Sequence, residues 1–200
     1  MKKVLISLAV VVTVLLTSCG PKLEVKRVDT NEVADVSGRW NDVDAQMVSK
    51  EMINQMFEGA WLNKFKAENG RDPVLIVGRV GNKTSEHINT EVFTKEIEKV
   101  CINSGLVEFV ASSSERDEIR QERVEQQSNA SMETTKQIGN ETGADFMLKG
   151  VVSSIEDAID GKKVVYYQTN MELVNIETNK KVWVGDKKIK KFVSRGKWKP

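Results

Sequence analysis

One run of apolar residues constrains the fold of this chain more than any other feature. Residues 74–80, VLIVGRV, are almost continuously apolar, whereas a strand with one solvated face would alternate apolar and polar residues. Such a run is typical of a central strand that is covered on both faces. Apolar residues with helical spacing precede and follow it: Val48, Met52 and Met56, then Phe93, Ile97 and Cys101. We therefore predict an α/β fold.

Caps and helix breakers predict the elements around this strand. We expect the first helix to begin at Asp42 or Asp44, which can accept hydrogen bonds from free N–H groups, and to end before Asp72-Pro73. A second helix is predicted over residues 90–103 and a short strand over residues 106–111. Ser112 and Glu115 fit a capping box that opens a charged, solvated helix. Residues 132–142 predict one more short helix, ended by Gly143.

The last third of the chain is strand-like. The segment DFMLKGVVSSI leads to an Asp160-Gly161 turn, which favours a hairpin, and a third strand follows a loop at residues 177–180. In the middle strand, alternate residues are suited to one buried face: Val165, Tyr167, Thr169, Met171 and Leu173. These strands predict an antiparallel meander, so the fold class is α/β with a mixed sheet, flanking helices and a C-terminal meander.

The glycines after the central strand suggest a nucleotide-binding loop, but their spacing is wrong. A phosphate-binding loop requires G-x-x-x-x-G-K-[ST], and the Lys83-Thr84 pair would then place its glycines at Val77 and Asn82. Gly78 and Gly81 are each one residue away, and a β-branched residue cannot adopt positive φ cheaply. We predict a strand end and a turn at Asn82, and no nucleotide partner.

The N-terminus predicts export and lipidation. Lys2 and Lys3 precede a short apolar run, which is typical of a signal peptide over residues 1–18. The sequence Leu16-Thr17-Ser18-Cys19 resembles a bacterial lipobox, which implies that Cys19 is lipidated and becomes the new N-terminus, anchored in a membrane. Gly20 is not the aspartate that signals inner-membrane retention, so we expect an outer-membrane anchor and a periplasm-facing protein. We assign residues 19–44 to a lipidated flexible tether, 45–193 to the domain and 194–200 to a basic tail.

Residues for catalysis or metal binding are scarce. His87 is the single histidine, so no metal site or triad can rest on paired histidines. Cys101 is predicted to be a small buried hydrophobe rather than a reactive thiol. The net charge is +1, and it falls to −1 without Lys2 and Lys3, which gives no nucleic-acid signature. We expect no cofactor, no metal and no enzymatic activity.

The C-terminal sequence KKIKKFVSRGKWKP concentrates positive charge. One interpretation is a solvated tail that balances an acidic domain. The other is an electrostatic contact with anionic headgroups, wall carboxylates or an acidic partner, with a tryptophan as anchor. The candidate contact residues are Lys188, Lys190, Lys191, Arg195, Lys197 and Trp198.

Several segments together resemble a known family. The stretches GRWNDVDAQMVSKEM, PVLIVGRVGNKTSEHINTEVF and VYYQTNMELVNIETNKKVW look like the LpoB family of lipoproteins, which activate penicillin-binding proteins. The resemblance runs from about Gly38 to Lys191. It implies a TolB-N-terminal-like domain and a class A penicillin-binding protein as partner. It also implies that the protein works close to peptidoglycan, which is a possible further partner. The tether here is shorter and less proline-rich than the arms of family members that work across a periplasm.

Two other classes of protein are open at this stage. A curli-assembly-type secretion lipoprotein shares a related α/β core, but it needs extra amphipathic strands for a barrel, and we find no spare pair. An enzyme is disfavoured by the missing histidine, metal and nucleophile motifs.

Overall fold

The structure, a computed structural model, describes residues 24–29, 32, 35 and 37–194. The chain divides into two compact units, Met1–Glu32 and Val33–Pro200. In the first unit the described residues are exposed and form no helix or strand. Across the described residues, we find no helix with the length and apolar character needed to span a membrane.

Four helices and five strands form the second unit over its described residues. They are α1 Asp42–Glu58, α2 Ala60–Asn69, β1 Val74–Lys83, α3 Glu91–Ser104, β2 Glu108–Phe109, α4 Ser113–Asn129, β3 Phe146–Ile159, β4 Lys162–Asn175 and β5 Lys181–Ser194. The strand order is β2-β1-β3-β4-β5. Strand β1 pairs in parallel with β2 and β3, and β3, β4 and β5 pair antiparallel. The mixed sheet and the C-terminal meander predicted from the sequence are confirmed.

The hydrophobic core lies between one face of this sheet and the helices. Strand β4 contributes the alternate residues that the sequence predicted for a buried face, all of which are buried: Val165, Tyr167, Thr169, Met171 and Leu173. Helix α1 packs Val48 and Met52 on this inner face, and α3 adds Phe93 and Ile97. Trp61 and Trp183 are also buried. The turn between β3 and β4 has positive φ at both Asp160 and Gly161, as the hairpin signal requires.

The cap and the end of helix α1 differ from the prediction. Its cap is Asn41, whose side-chain oxygen accepts from the Asp44 N–H at 3.1 Å, while the Asp44 carboxylate accepts from the Asn41 N–H at 2.9 Å. Asp44 is therefore the acidic partner in a capping box, not the cap itself. The predicted single helix is interrupted at Gly59, whose extended backbone lets Trp61 turn back and donate to the Met56 carbonyl at 2.7 Å.

Two further expectations were wrong in extent or kind. The strand predicted over residues 106–111 pairs only at Glu108–Phe109. Residues 132–142 form turns rather than a helix, and Met132 is 97% exposed. One turn forms at residues 131–135, where the Thr135 N–H donates to the Ser131 carbonyl at 3.1 Å, and the turn does not continue into a helix. No apolar stripe is buried to favour a helix instead.

Helix α4 matches the prediction. The Ser112–Glu115 capping box is present and the helix has no buried residue. Hydrogen bonds from Lys95 and from the hydroxyl and N–H of Ser112 lower the pKa of the Glu115 carboxyl to about 2. Helix α4 is a solvated element that is held by its cap and by surface ion pairs such as Arg120–Glu141 at 2.8 Å.

Candidate functional site

The two faces of the meander differ in exposure. Residues 165, 167, 169, 171 and 173 of β4 face the core, so the residues between them point to the opposite side, which we call the outer face. The pairing register places on the outer face Ile155 opposite Tyr166, and Phe192 opposite Val164. Ile155 is 70% exposed and Phe192 is 66% exposed. The outer face of the meander is therefore a solvent-facing sheet surface.

The hairpin end of this face combines apolar and basic side chains. Lys190 pairs in register with Tyr166, and Lys188 with Gln168. We call this cluster the outer patch; it consists of Ile155, Val164, Tyr166, Lys188, Lys190 and Phe192. A contiguous exposed cluster of aromatic and aliphatic side chains beside positive charge is characteristic of protein-binding surfaces.

Side-chain hydrogen bonds order the middle of the outer face. The Tyr166 hydroxyl donates to the Gln168 side-chain oxygen at 3.3 Å, and the Gln168 amide donates to the Asn170 side-chain oxygen at 3.0 Å. This row runs along β4 from the outer patch toward the opposite end of the strand. It fixes the orientation of Tyr166 beside Lys190 before any partner binds, which lowers the entropic cost of binding.

Charge is balanced at the far end of the outer face and unbalanced at the outer patch. Glu172 bonds Lys181 and lies 3.4 Å from Lys149. Hydrogen bonding from Lys181 lowers the pKa of Glu172. Lys188 lies 3.4 Å from Asp186, whereas Lys190 has no ion-pair partner among residues 37–194. Lys190 thus offers positive charge at the outer patch, and the exposed Asp157, in register with Val164, lies beside it toward the hairpin.

The structure separates the basic residues that the sequence grouped together. Lys188 and Lys190 lie on the outer face, but Lys191 points to the inner face and is only 9% exposed. Its ammonium lies 2.6 Å from Asp44 and 3.1 Å from Asp35, and it donates to the Arg39 carbonyl at 2.9 Å. Lys191 is bonded inside the chain, so the structure differs here from the expectation of a contact residue. Arg195, Lys197, Trp198 and the lipidation residue Cys19 lie outside the described residues.

A buried polar network joins the residues before α1 to the sheet, and sequence reasoning missed it. The Glu86 carboxylate accepts from the Trp40 N–H at 3.0 Å and from the Tyr167 hydroxyl at 2.6 Å. The Trp40 ring packs edge-on against Tyr167 with a centroid separation of 5.5 Å. Burial, together with the Glu86 carboxylate, raises the pKa of Tyr167. With Lys191, this network fixes the point at which the chain enters the domain.

The other candidate residues occupy structural positions. His87 is exposed. Cys101 is buried, and its burial raises the pKa of the thiol to about 12. The stretch that resembled a nucleotide loop is strand β1 up to Lys83, followed by a turn in which the Asn82 side chain accepts from the Thr84 N–H at 2.9 Å, as predicted. The described residues contain no group of histidine, cysteine and acidic side chains suited to a metal ion.

Comparison with solved structures finds several similar chains. The LpoB C-terminal domain from Escherichia coli is 19% identical with a TM-score of 0.42, and the match covers 76% of this chain and 99% of that one. The LpoB C-terminal domain from Salmonella enterica is 18% identical with a TM-score of 0.41, and the match covers 73% of this chain and 98% of that one. The comparison with curated proteins gives no match.

The fold is that of a small α/β domain with a mixed sheet. The family described as peptidoglycan-synthase activator LpoB matches residues 44–189. The chain therefore belongs to the LpoB family. This family consists of envelope lipoproteins that regulate synthases and is not a catalytic family.

Proposed function

We propose that this protein binds and activates a bifunctional, class A penicillin-binding protein, and so regulates peptidoglycan synthesis. The observation that carries the proposal is the outer patch on a domain of the activator family. It presents exposed apolar side chains and an unpaired lysine on a sheet, which is a rigid support for a contact surface. Activation by binding requires such a surface and no catalytic group on the activator.

Lipid anchoring at Cys19 in the outer membrane belongs to the same proposal. The sequence Leu16-Thr17-Ser18-Cys19 supports it, as does the envelope-lipoprotein character of the family. The network around Trp40 and Lys191 holds the chain from about Ser37 onward, so about 18 residues connect Cys19 to the domain. Fully extended, they span roughly 60 Å, which sets the upper limit of the domain's reach from the membrane.

The lipid is tested by mass spectrometry of the mature N-terminus in the native envelope. We expect the mass of a diacylglyceryl-modified and acylated Cys19, and its loss in Cys19→Ala. An unmodified wild-type N-terminus would contradict the anchoring.

Activation is tested by a glycan-polymerisation assay. The full chain in detergent is added to each purified class A synthase of the host, and we expect the rate to rise with one of them. The protein alone should polymerise and hydrolyse nothing. If no synthase binds the protein or changes its rate, the proposed function is wrong.

A further inference from the structure

Strand β5 is the outermost strand of the described sheet, so one side of its backbone has no neighbouring strand. Along an antiparallel strand, one residue directs its N–H and its carbonyl toward the neighbouring strand, and the next residue directs both groups away from it. The direction in β5 is shown by Asp186. Its N–H donates to the Gln55 side-chain oxygen at 3.2 Å, and its carbonyl accepts from the Gln55 amide at 3.0 Å. Asp186 therefore points away from β4, and Gln55 of α1 covers the edge at this residue.

The same alternation decides which other backbone groups of the edge point outward. The pairing of β4 with β5 is uninterrupted from Leu173–Trp183 to Lys162–Ser194. The N–H and carbonyl groups of Lys188, Lys190 and Phe192 must then point outward like those of Asp186. Over residues 37–194, no side chain or loop backbone is bonded to these three residues' outward groups. Residues 188–192 thus offer the hydrogen-bonding edge of one short additional strand.

The side-chain charges of residues 188–192 determine which kind of strand can pair with this edge. The residues with outward backbone groups also carry the outer-face side chains Lys188, Lys190 and Phe192. A second copy of β5 would bring lysines opposite lysines, and lysine on an edge strand is a known means of preventing such pairing. An extended segment with acidic residues at alternate positions would place carboxylates beside Lys188 and Lys190.

We propose that residues 188–192 of β5 receive an extended acidic segment of the protein partner as a sixth strand of the sheet. This inference rests on the proposed function and specifies how the synthase is recognised. In strand addition, backbone hydrogen bonds give the affinity and the side chains give the specificity for the partner. The segment carries acidic residues at two alternate positions, facing Lys190 and Lys188, and an apolar residue at the next alternate position, facing Phe192.

Amide hydrogen exchange tests the edge directly and needs no synthase. The probe is a synthetic nine-residue peptide of alternating glutamate and threonine with one terminal valine, added to the full chain in detergent micelles. We expect exchange of the outward amides of residues 188–192 to slow at least tenfold. The control is the same peptide with N-methyl groups on the amides that would face β5. It should not slow the exchange of the β5 amides. No slowing with the unmethylated peptide would overturn the proposal.

Proline at one position separates backbone from side-chain recognition. Lys190→Pro removes the outward N–H and is tolerated on an edge strand, since it breaks no bond to β4. Lys190→Ala removes the same charge but keeps the N–H, and is the matched control. We expect peptide binding to be weakened several-fold in the alanine variant and lost in the proline variant, with both melting temperatures close to wild type. Equal peptide binding by the two variants would overturn strand addition.

The synthase distinguishes this inference from the proposed function. If the wild-type chain activates a synthase and Lys190→Pro activates it as well as Lys190→Ala does, strand addition is wrong while the proposed function stands. If no synthase responds to the wild-type chain, the proposed function is wrong, and the peptide result still decides whether the edge accepts a strand.

Discussion

Lys190 and Lys191 are adjacent in β5 and have opposite surroundings. Lys191 faces the core side, where it is 9% exposed and bonded to Asp44, which is 1% exposed. Lys190 faces solvent beside Tyr166 and has no ion-pair partner among residues 37–194. The difference comes from the period of two along a strand, not from the residue type. A run of like charges in a strand therefore has to be divided by face before any part of it is assigned to a partner.

The same division holds on β4 for two adjacent tyrosines. Tyr167 is buried and donates to Glu86 at 2.6 Å, which ties the sheet to the segment before α1. Tyr166 is partly exposed, and within residues 37–194 its hydroxyl bonds the neighbouring Gln168 on the outer face. We infer that the inner face of the meander holds the domain together, while its outer face is available to bind.

The largest expected difference between the faces is in stability. Lys191→Ala leaves Asp44 buried without its cation, and losing one partner of a buried ion pair costs about 3 kcal/mol of unfolding free energy. Lys190→Ala should change the unfolding free energy by less than about 0.5 kcal/mol, because its side chain is exposed. Urea denaturation of both variants measures this, and similar free energies for the two would refute the division by face.

The tyrosine pair should show a smaller difference in the same direction. Tyr167 is 1% exposed, and Tyr167→Phe removes its 2.6 Å hydrogen bond to a carboxylate, which should cost about 1.5 kcal/mol. Tyr166→Phe should cost less than about 0.5 kcal/mol, because its 3.3 Å bond joins two neutral groups and the side chain is half-exposed, so water can replace the bond. Urea denaturation of the two variants measures both unfolding free energies. A larger loss in Tyr166→Phe would mean that the outer row, not the Glu86 network, stabilises the sheet.

Alkaline pH should reveal the buried hydroxyl. The pKa of Tyr167 is raised in the folded chain. The stability that its hydroxyl contributes is therefore complete below the unfolded pKa of about 10, and it is lost as the pH rises above that value. At pH 10.5 the stability advantage of wild type over Tyr167→Phe should be about 0.8 kcal/mol smaller than at pH 8. Melts of both proteins at the two pH values measure this change, and a constant advantage would contradict it.

Local patterns predicted much of this fold. The Asp160-Gly161 turn, the alternation from Val165 to Leu173 and the Ser112–Glu115 capping box each depend on neighbours a few residues apart. The turns at residues 132–142 were missed because a short helix needs a buried apolar face, and none of these residues is buried.

The buried networks could not be predicted in this way. Glu86 and Tyr167 are separated by 81 residues, and Lys191 and Arg39 by 152 residues. No spacing rule connects such residues, because tertiary packing alone brings them together. Lys191 was therefore grouped with its exposed neighbours, although the alternation of Trp183 and Ile189 on the inner face was a signal that could have separated it.

The most direct test of the account is the affinity of variants for a class A synthase that responds to the wild-type chain. The double variant Lys188→Glu with Lys190→Glu reverses charge on the outer patch, and Lys64→Glu with Lys99→Glu reverses the same number of exposed charges on α2 and α3. Titration by calorimetry should show affinity at least tenfold weaker for the first pair, about 1.4 kcal/mol, and unchanged for the second. Equal affinities for the two double variants would contradict binding through the outer face of β5.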